Sequence, residues 1–131
     1  MSAGALMKQQ HGPGRFVAVL AAVLGVVMAA GGVAKLAGEA HQVAGFMSWG
    51  LPPWFRAMVG TFEIVGGVLL LIPPTTPLGS LILSTVMVGA FWTHAAHGEW
   101  AQLVPVTVLL ILFLVIFRRN QSRAIRLMGG G

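Results

Sequence analysis

The stretch "MVGTFEIVGGVLLLIPP", Met58–Pro74, decides the fold, because a single acid, Glu63, stands in a run that otherwise carries no charge. An apolar run of this length, ended by a proline pair, predicts a helix that crosses a lipid bilayer. Each such run in the chain is close to the roughly 20 residues that cross a hydrocarbon core about 30 Å thick. There are four of them, at about 16–37, 54–72, 78–96 and 100–117. We therefore predict an all-α fold, an integral membrane four-helix bundle.

The composition of the chain supports a membrane protein and argues against a soluble enzyme. Of its 131 residues, 56% are hydrophobic and 8% are charged, whereas a soluble domain carries about a quarter of its residues charged. The absence of cysteine excludes disulfides and thiolate metal sites. The formal net charge of +5 comes from basic residues at the ends of apolar runs, which is a pattern of membrane topology. The expected partner is the lipid bilayer, with no role for nucleic acid.

The distribution of basic residues predicts how the bundle is oriented. Lys8 and Arg15 precede the first run, and the connections on the opposite side hold only Lys35 and Arg56. Basic residues also follow the last run, at Arg118, Arg119, Arg123 and Arg126. Because cytoplasmic segments are enriched in Lys and Arg, we predict a multi-pass protein of the cytoplasmic (inner) membrane with both termini inside, N-in and C-in.

This orientation divides the chain into three segments. Residues 1–15 form a cytoplasmic N-terminal segment, residues 16–117 a single four-helix transmembrane domain, and residues 118–131 a basic cytoplasmic tail. The four arginines of the tail are candidates for contact with anionic lipid headgroups or an acidic partner, since each cation near such a surface contributes about 1 kcal/mol. The alternative is that the tail only anchors the topology.

The polar residues inside the apolar runs predict a pocket. Glu63 lies near the middle of its run, where a charge costs roughly 2.5–3.5 kcal/mol and therefore faces the bundle interior or a partner. Helical spacing places Glu63 on one stripe with Gly60, Gly67 and Arg56. Polar residues of the neighbouring runs lie at similar depth or further out, so we predict an outward-opening polar pocket between three helices. Its candidate residues are Lys35, Arg56, Glu63, His94 and His97.

Other roles for these residues are open at this point. A protonated Glu63 could bond to a backbone carbonyl or to Ser84 and hold the helices in register, and Lys35 and Arg56 could extend to lipid headgroups. The spacing of His94 and His97 is also compatible with a metal or haem. Because the only further nitrogen ligand nearby is His41, we assign no metal site.

The ordered set of motifs resembles the DoxX-like family of small four-helix membrane proteins. The similar segments are "AGGVAKLAG", "GLPPWFRAMVGTFEIVGGVLLLIP" and "VMVGAFWTHAAHGE", and the resemblance runs from about residue 15 to residue 118. The family pattern falls on Gly32 and Lys35, on Gly50–Pro52, on Glu63 with the glycine pair that follows, and on His94. No single motif is specific, and it is their order that carries the resemblance.

The resemblance implies a four-helix fold and a family in which some members are similar to the membrane subunit of thiosulfate:quinone oxidoreductases. We accordingly predict a small accessory subunit of a membrane complex, with a polar pocket and quinone as the candidate ligand. The chain has no electron carrier of its own, so a redox role would make it a subunit rather than a complete enzyme.

Two alternatives differ in class from this prediction. The first is a purely structural or assembly subunit, associated with other membrane subunits or with copies of itself, that binds no ligand. The second is a proton-coupled transporter, which four short helices without an inverted repeat support poorly.

Overall fold

The structure is a computed structural model that describes the backbone of residues 3–129 and the side chains of residues 14–121. Four of its helical segments are long and apolar enough to cross a membrane, which confirms the predicted all-α membrane bundle. These segments are Gly14–Ala37, Pro53–Leu71, Pro73–Ala96 and Trp100–Gln121. The helices are α1 (Ala3–Ala37), α2 (Ala40–Ser48), α3 (Pro53–Leu71), α4 (Thr76–Ala96) and α5 (Trp100–Gly129), with a 3₁₀ turn at Pro73–Thr75.

Proline and glycine mark the ends of the spanning helices. Pro53 and Pro77 lie in the first turns of α3 and α4, where a missing backbone N–H costs nothing. Gly38 and Gly98 follow α1 and α4 with φ angles of +73° and +68°. Because a side chain disfavours this left-handed conformation, glycine suits both positions, and the chain reverses there.

The connection between the first two spans contains a helix that the apolar runs did not predict. The segment "GEAHQVAGFMSWGLPP", which lies between the first two of these runs, includes the nine-residue helix α2. Glu39 caps this helix, since its carboxylate accepts the backbone N–H groups of His41 and Gln42 at 3.0 and 3.1 Å. These two bonds also hold the pKa of Glu39 below its usual range. The helix is far too short to span a bilayer, so hydropathy gave no sign of it.

Helices α1 and α5 are longer than the apolar runs from which they were predicted. Helix α1 begins at Ala3, within the predicted N-terminal segment, and α5 continues to Gly129, within the predicted basic tail. An apolar run indicates where a helix meets lipid, whereas the helix itself continues as long as its backbone bonds do. Arg118 and Arg119 are exposed on α5, and the side chains of Arg123 and Arg126 lie outside the described residues.

The helices pack in a chain of contacts, with α1 against α3, α3 against α4, and α4 against α5. The core between them is apolar and comprises Val17, Ala21, Leu24, Met28, Leu70, Leu83, Met87, Val106, Phe113 and Ile116. We call the end of the bundle with the 3₁₀ turn the turn end, and the opposite end, where α2 lies, the α2 end.

Glycines bring α1 and α3 into backbone contact along a line that we call the α1–α3 seam. A Cβ atom added at Gly67 would lie 2.6 Å from the carbonyl oxygen of Gly25, and one added at Gly60 would lie 2.9 Å from that of Gly32. No side chain fits between backbones so close. In a membrane, where water supplies little drive for association, such close approach is a main source of helix packing.

Helix α4 approaches α3 in the same way, but only toward the turn end. A Cβ added at Gly79 would lie 2.7 Å from the carbonyl oxygen of Gly66, and one at Gly66 would lie 2.7 Å from the side chain of Leu83. Further along α4, a Cβ added at Gly89 would meet nothing within 4 Å. The two helices are therefore in close contact at the turn end and leave open space toward the α2 end.

Candidate functional site

Glu63 forms an ion pair with Lys35 across the α1–α3 seam. The Nζ atom of Lys35 lies 3.1 Å from Oε2 of Glu63, and the two side chains are only 14% and 7% exposed. Gly31 leaves room for the carboxylate, because a Cβ at that position would lie 3.4 Å from Oε2. The pair is held by the two helices that pack most closely, so each charge has a partner that offsets the cost of removing it from water.

Arg56 lies beside this pair without contacting Glu63. Its Nε atom donates a hydrogen bond of 3.0 Å to the backbone oxygen of Lys35. This carbonyl belongs to the last turn of α1, where helix carbonyls have no partner within the helix. Arg56 thus ties the start of α3 to the end of α1.

A second polar cluster joins α2 to the turn between α4 and α5. Oε1 of Glu99 accepts the indole N–H of Trp49 at 2.8 Å and lies 3.0 Å from Nδ1 of His94. Because a carboxylate only accepts hydrogen bonds, Nδ1 of His94 carries the proton in this contact. The bond from His94, and next the bond from Trp49, hold the pKa of Glu99 below its usual range. The ring of Trp49 also packs edge-on against that of His94, with centroids 5.3 Å apart.

His97 is directed elsewhere. Its Nδ1 atom lies 2.7 Å from the backbone oxygen of Thr93, one turn earlier, and its side chain is exposed. Among the side chains of residues 14–121, no three His, Asp or Glu residues come together in an arrangement that could hold a metal ion.

A cavity of about 930 Å³ lies between these clusters. It occupies the space between α3 and α4 toward the α2 end, and α2 covers it. Most of its wall is apolar, with Phe46, Phe62 and Met87 among the lining residues. The charged or titratable groups in its wall are Lys35, His41, Glu63, His94 and Glu99.

The structure thus brings together only some of the five residues predicted for a pocket. Lys35, Glu63 and His94 line the cavity, whereas Arg56 and His97 are not among its lining residues. The paired residues Lys35 and Glu63 lie at one side of the cavity, and His94 belongs to the separate cluster with Glu99.

Sequence reasoning missed Glu99 and the polar role of Trp49. Glu99 follows a His-Gly turn signal, and a lone acid in a turn is usually solvated. A tryptophan near the end of a spanning segment, such as Trp49, is typical of the membrane interface and does not by itself indicate a polar partner. One signal could have been used: Glu99 lies five residues after His94 at a helix end, close enough for the reversing chain to bring the two together.

The comparisons with known proteins agree with this architecture. The family model described as the DoxX-like family matches residues 19–117, which include most of the first and last spanning segments, the two segments between them and both polar clusters. Neither the curated proteins nor the solved structures contain a significant match to the chain. Since the family model covers well over half of its residues, the chain is a multi-pass membrane protein that belongs to the DoxX-like family.

Proposed function

We propose that this protein is a small accessory subunit of a membrane complex and that its cavity binds a lipophilic molecule with a polar head, with quinones as the candidate class. The observation that carries the proposal is the cavity itself. Its volume of about 930 Å³ falls within the roughly 300–1,000 Å³ of small-molecule sites, and its wall is apolar with a few polar groups, as such sites usually are.

The polar groups in the cavity wall match the chemistry of a quinone. A quinone carbonyl accepts hydrogen bonds, and Lys35 has three N–H donors, of which Glu63 uses one. Reduction of a quinone takes up protons, which a carboxylic acid and a histidine can transfer. Glu63 and His94 are the residues we propose for that transfer. The chain has no cysteine to hold an iron–sulfur cluster, and we propose that a partner subunit supplies the electrons.

We propose the N-in, C-in orientation in the cytoplasmic membrane for the same protein. Arg118 and Arg119 are exposed at the C-terminal end of the last spanning segment, where the positive-inside rule expects the cytoplasmic side. The cavity and α2 would then lie toward the outer face. The cysteine-free chain allows a direct test with Ser48→Cys and Gln121→Cys. A membrane-impermeant maleimide added to intact cells should label the first and spare the second, and the reverse pattern would invert the topology.

Native mass spectrometry of the protein, extracted mildly from its own membrane, tests the ligand. We expect a bound mass that matches a quinone in the wild type and its loss in Glu63→Gln, because the amide neither pairs with Lys35 as a charge nor transfers a proton. Thr61→Val is the control, since Thr61 is an exposed polar residue of the same helix that does not line the cavity. A quinone retained in Glu63→Gln would contradict the proposed role of Glu63.

A structural subunit without a ligand is the second candidate, and the Lys35–Glu63 pair is the observation that favours it. The two charges neutralise each other across the α1–α3 seam, so the pair can hold the bundle together without any ligand. In that case the extracted protein would carry stoichiometric partner subunits and no small molecule, and Glu63→Gln would change only yield or assembly.

A further inference from the structure

The wall of the cavity that faces lipid lies between α3 and α4. Met58 and Phe62 on α3 line the cavity and are exposed on the bundle surface. Thr85, Gly89 and Trp92 on α4 do the same. These five residues, which we call the α3–α4 opening, connect the cavity sideways to the region occupied by lipid chains. A molecule dissolved in the membrane therefore has a route into the cavity that does not cross water.

The cavity is more restricted toward the two ends of the bundle. Toward the turn end, the close contact at Gly66 and Gly79 leaves no space between the helices. Over the α2 end, Phe46 is buried, and Trp49 is tied to Glu99 by its indole N–H. Helix α2 thus lies between the cavity and the α2 end, with His41 as its exposed lining residue, whereas the α3–α4 opening lies along the spanning helices.

The charges in the cavity wall are already compensated. Lys35 is the one permanently cationic lining residue in the described part of the chain, and Glu63 neutralises it at 3.1 Å. His94 is bonded to the carboxylate of Glu99, and His41 is exposed at the start of α2. A phosphate or carboxylate head would thus find no unpaired permanent cation, and burying a charge without a partner is strongly unfavourable.

Uncharged hydrogen-bonding groups remain available. The side-chain amides of Gln42 and Gln102 line the cavity and make no hydrogen bond with protein groups between residues 14 and 121. An amide both donates and accepts, so it recognises a carbonyl or a hydroxyl without needing a charge.

From these observations we propose that the site selects an uncharged amphiphile with a carbonyl or hydroxyl head, and that this molecule enters sideways through the α3–α4 opening. The inference rests on the proposed function, because it assigns the entry route and the head chemistry of that same cavity. It extends beyond quinones to any membrane-dissolved molecule of this chemistry, including isoprenoid alcohols.

Obstruction of the opening tests the route. Gly89→Phe places a ring where a Cβ meets no neighbour, so the helix tolerates the change while the ring fills the opening. In lipid nanodiscs, decylubiquinone binding is followed by quenching of tryptophan fluorescence, since Trp49 and Trp92 line the cavity. We expect binding at least about tenfold weaker in Gly89→Phe, which corresponds to about 1.4 kcal/mol, and unchanged binding in the control Gly89→Ala.

A second variant and a ligand series keep the test decisive. Thr85→Phe, one turn from Gly89 on the same face, replaces Gly89→Phe if that protein does not fold. On the wild type, a long-chain alcohol should displace decylubiquinone, whereas an alkyl phosphate and an alkyl trimethylammonium of equal chain length should not. Full affinity in a folded obstructed variant overturns the sideways route, and displacement by either charged probe overturns the head selectivity. A wild type that binds no probe refutes the proposed function itself.

Discussion

Helix α3 contacts its two neighbours in different ways. Against α1 it is closed along the whole α1–α3 seam, where glycines meet glycines and Lys35 pairs with Glu63. Against α4 it is closed only at the turn end, and the same two helices enclose a cavity at the other end. A glycine thus brings helices together only where the facing residue leaves room as well. Gly67 has such a partner, whereas Gly89 faces empty space.

The largest expected effect tests whether the Lys35–Glu63 ion pair stabilises the contact between α1 and α3. Lys35→Met leaves the Glu63 carboxylate buried without a partner and should lower the free energy of unfolding by about 3–5 kcal/mol. Denaturation by SDS in mixed micelles, followed by circular dichroism, measures this change. The double variant Lys35→Met/Glu63→Met removes both charges and should recover most of the loss. A double variant as unstable as the single one would show that the lost pairing is not the cause.

A smaller effect compares two glycines in the same bundle. Gly67→Ala forces a Cβ to within 2.6 Å of the Gly25 carbonyl oxygen, and overpacking of this kind costs about 1–3 kcal/mol. Gly89→Ala is the control, because its Cβ meets no atom within 4 Å and alanine favours a helix by roughly 0.5–1 kcal/mol. The same denaturation assay should move the two variants in opposite directions. Equal destabilisation would contradict the conclusion that Gly67 lies in close helix contact whereas Gly89 faces open space.

Arg56 tests whether a hydrogen bond also stabilises the end of the α1–α3 seam. Arg56→Met removes the hydrogen bond to the Lys35 carbonyl and should lower the unfolding free energy by about 1 kcal/mol. Arg56→Lys keeps the charge but lacks Nε and should recover only part of the loss. Full recovery by lysine would indicate that Arg56 serves as a charge near lipid headgroups rather than as a partner of α1.

The smallest expected effect on global stability concerns α2, which covers the cavity between α3 and α4. Because the pKa of Glu99 is lowered on folding, its contribution is complete above its ordinary pKa of 4.5 and is lost as pH falls through the lower folded value. The cluster of Trp49, His94 and Glu99 should therefore stay intact at pH 5 to 7. Hydrogen exchange should show faster exchange in residues 40–48 for Glu99→Gln, with α3 and α5 unchanged. Equal exchange in α2 would mean that Glu99 does not hold it.

The sequence predicted the four spanning helices because hydropathy and length are properties of single segments. It also offered several partners for Glu63, namely Lys35, Arg56, His94, Ser84 or a backbone carbonyl. It could not choose among them, because the choice depends on how each helix is rotated about its axis. In the structure, the glycines at Gly32 and Gly60 set that rotation and bring α1 close enough for Lys35 to reach Glu63.

The complete cluster of Trp49, His94 and Glu99 was not predicted for a related reason. Its members come from α2, from α4 and from the turn before α5, and no periodic pattern links three such segments. Helix α2 itself depends on a local cap at Glu39 rather than on an apolar run. The cavity was expected as a polar pocket, yet its wall is mostly apolar, because side chains such as Phe62 and Met87 fill the remaining surface of α3 and α4.

The adjacent glycines at Gly66 and Gly67 have a consequence for how this sequence can change over evolutionary time. One of them faces α4 and the other faces α1, so α3 is held on two sides by positions that admit no side chain. Every missense change at Gly67 adds a Cβ atom, however hydrophobic the new residue is. Among relatives, we therefore expect positions 25, 60, 67 and 79 to remain glycine, whereas position 89 should vary. The residues around the cavity can thus change far more readily than those at the helix contacts.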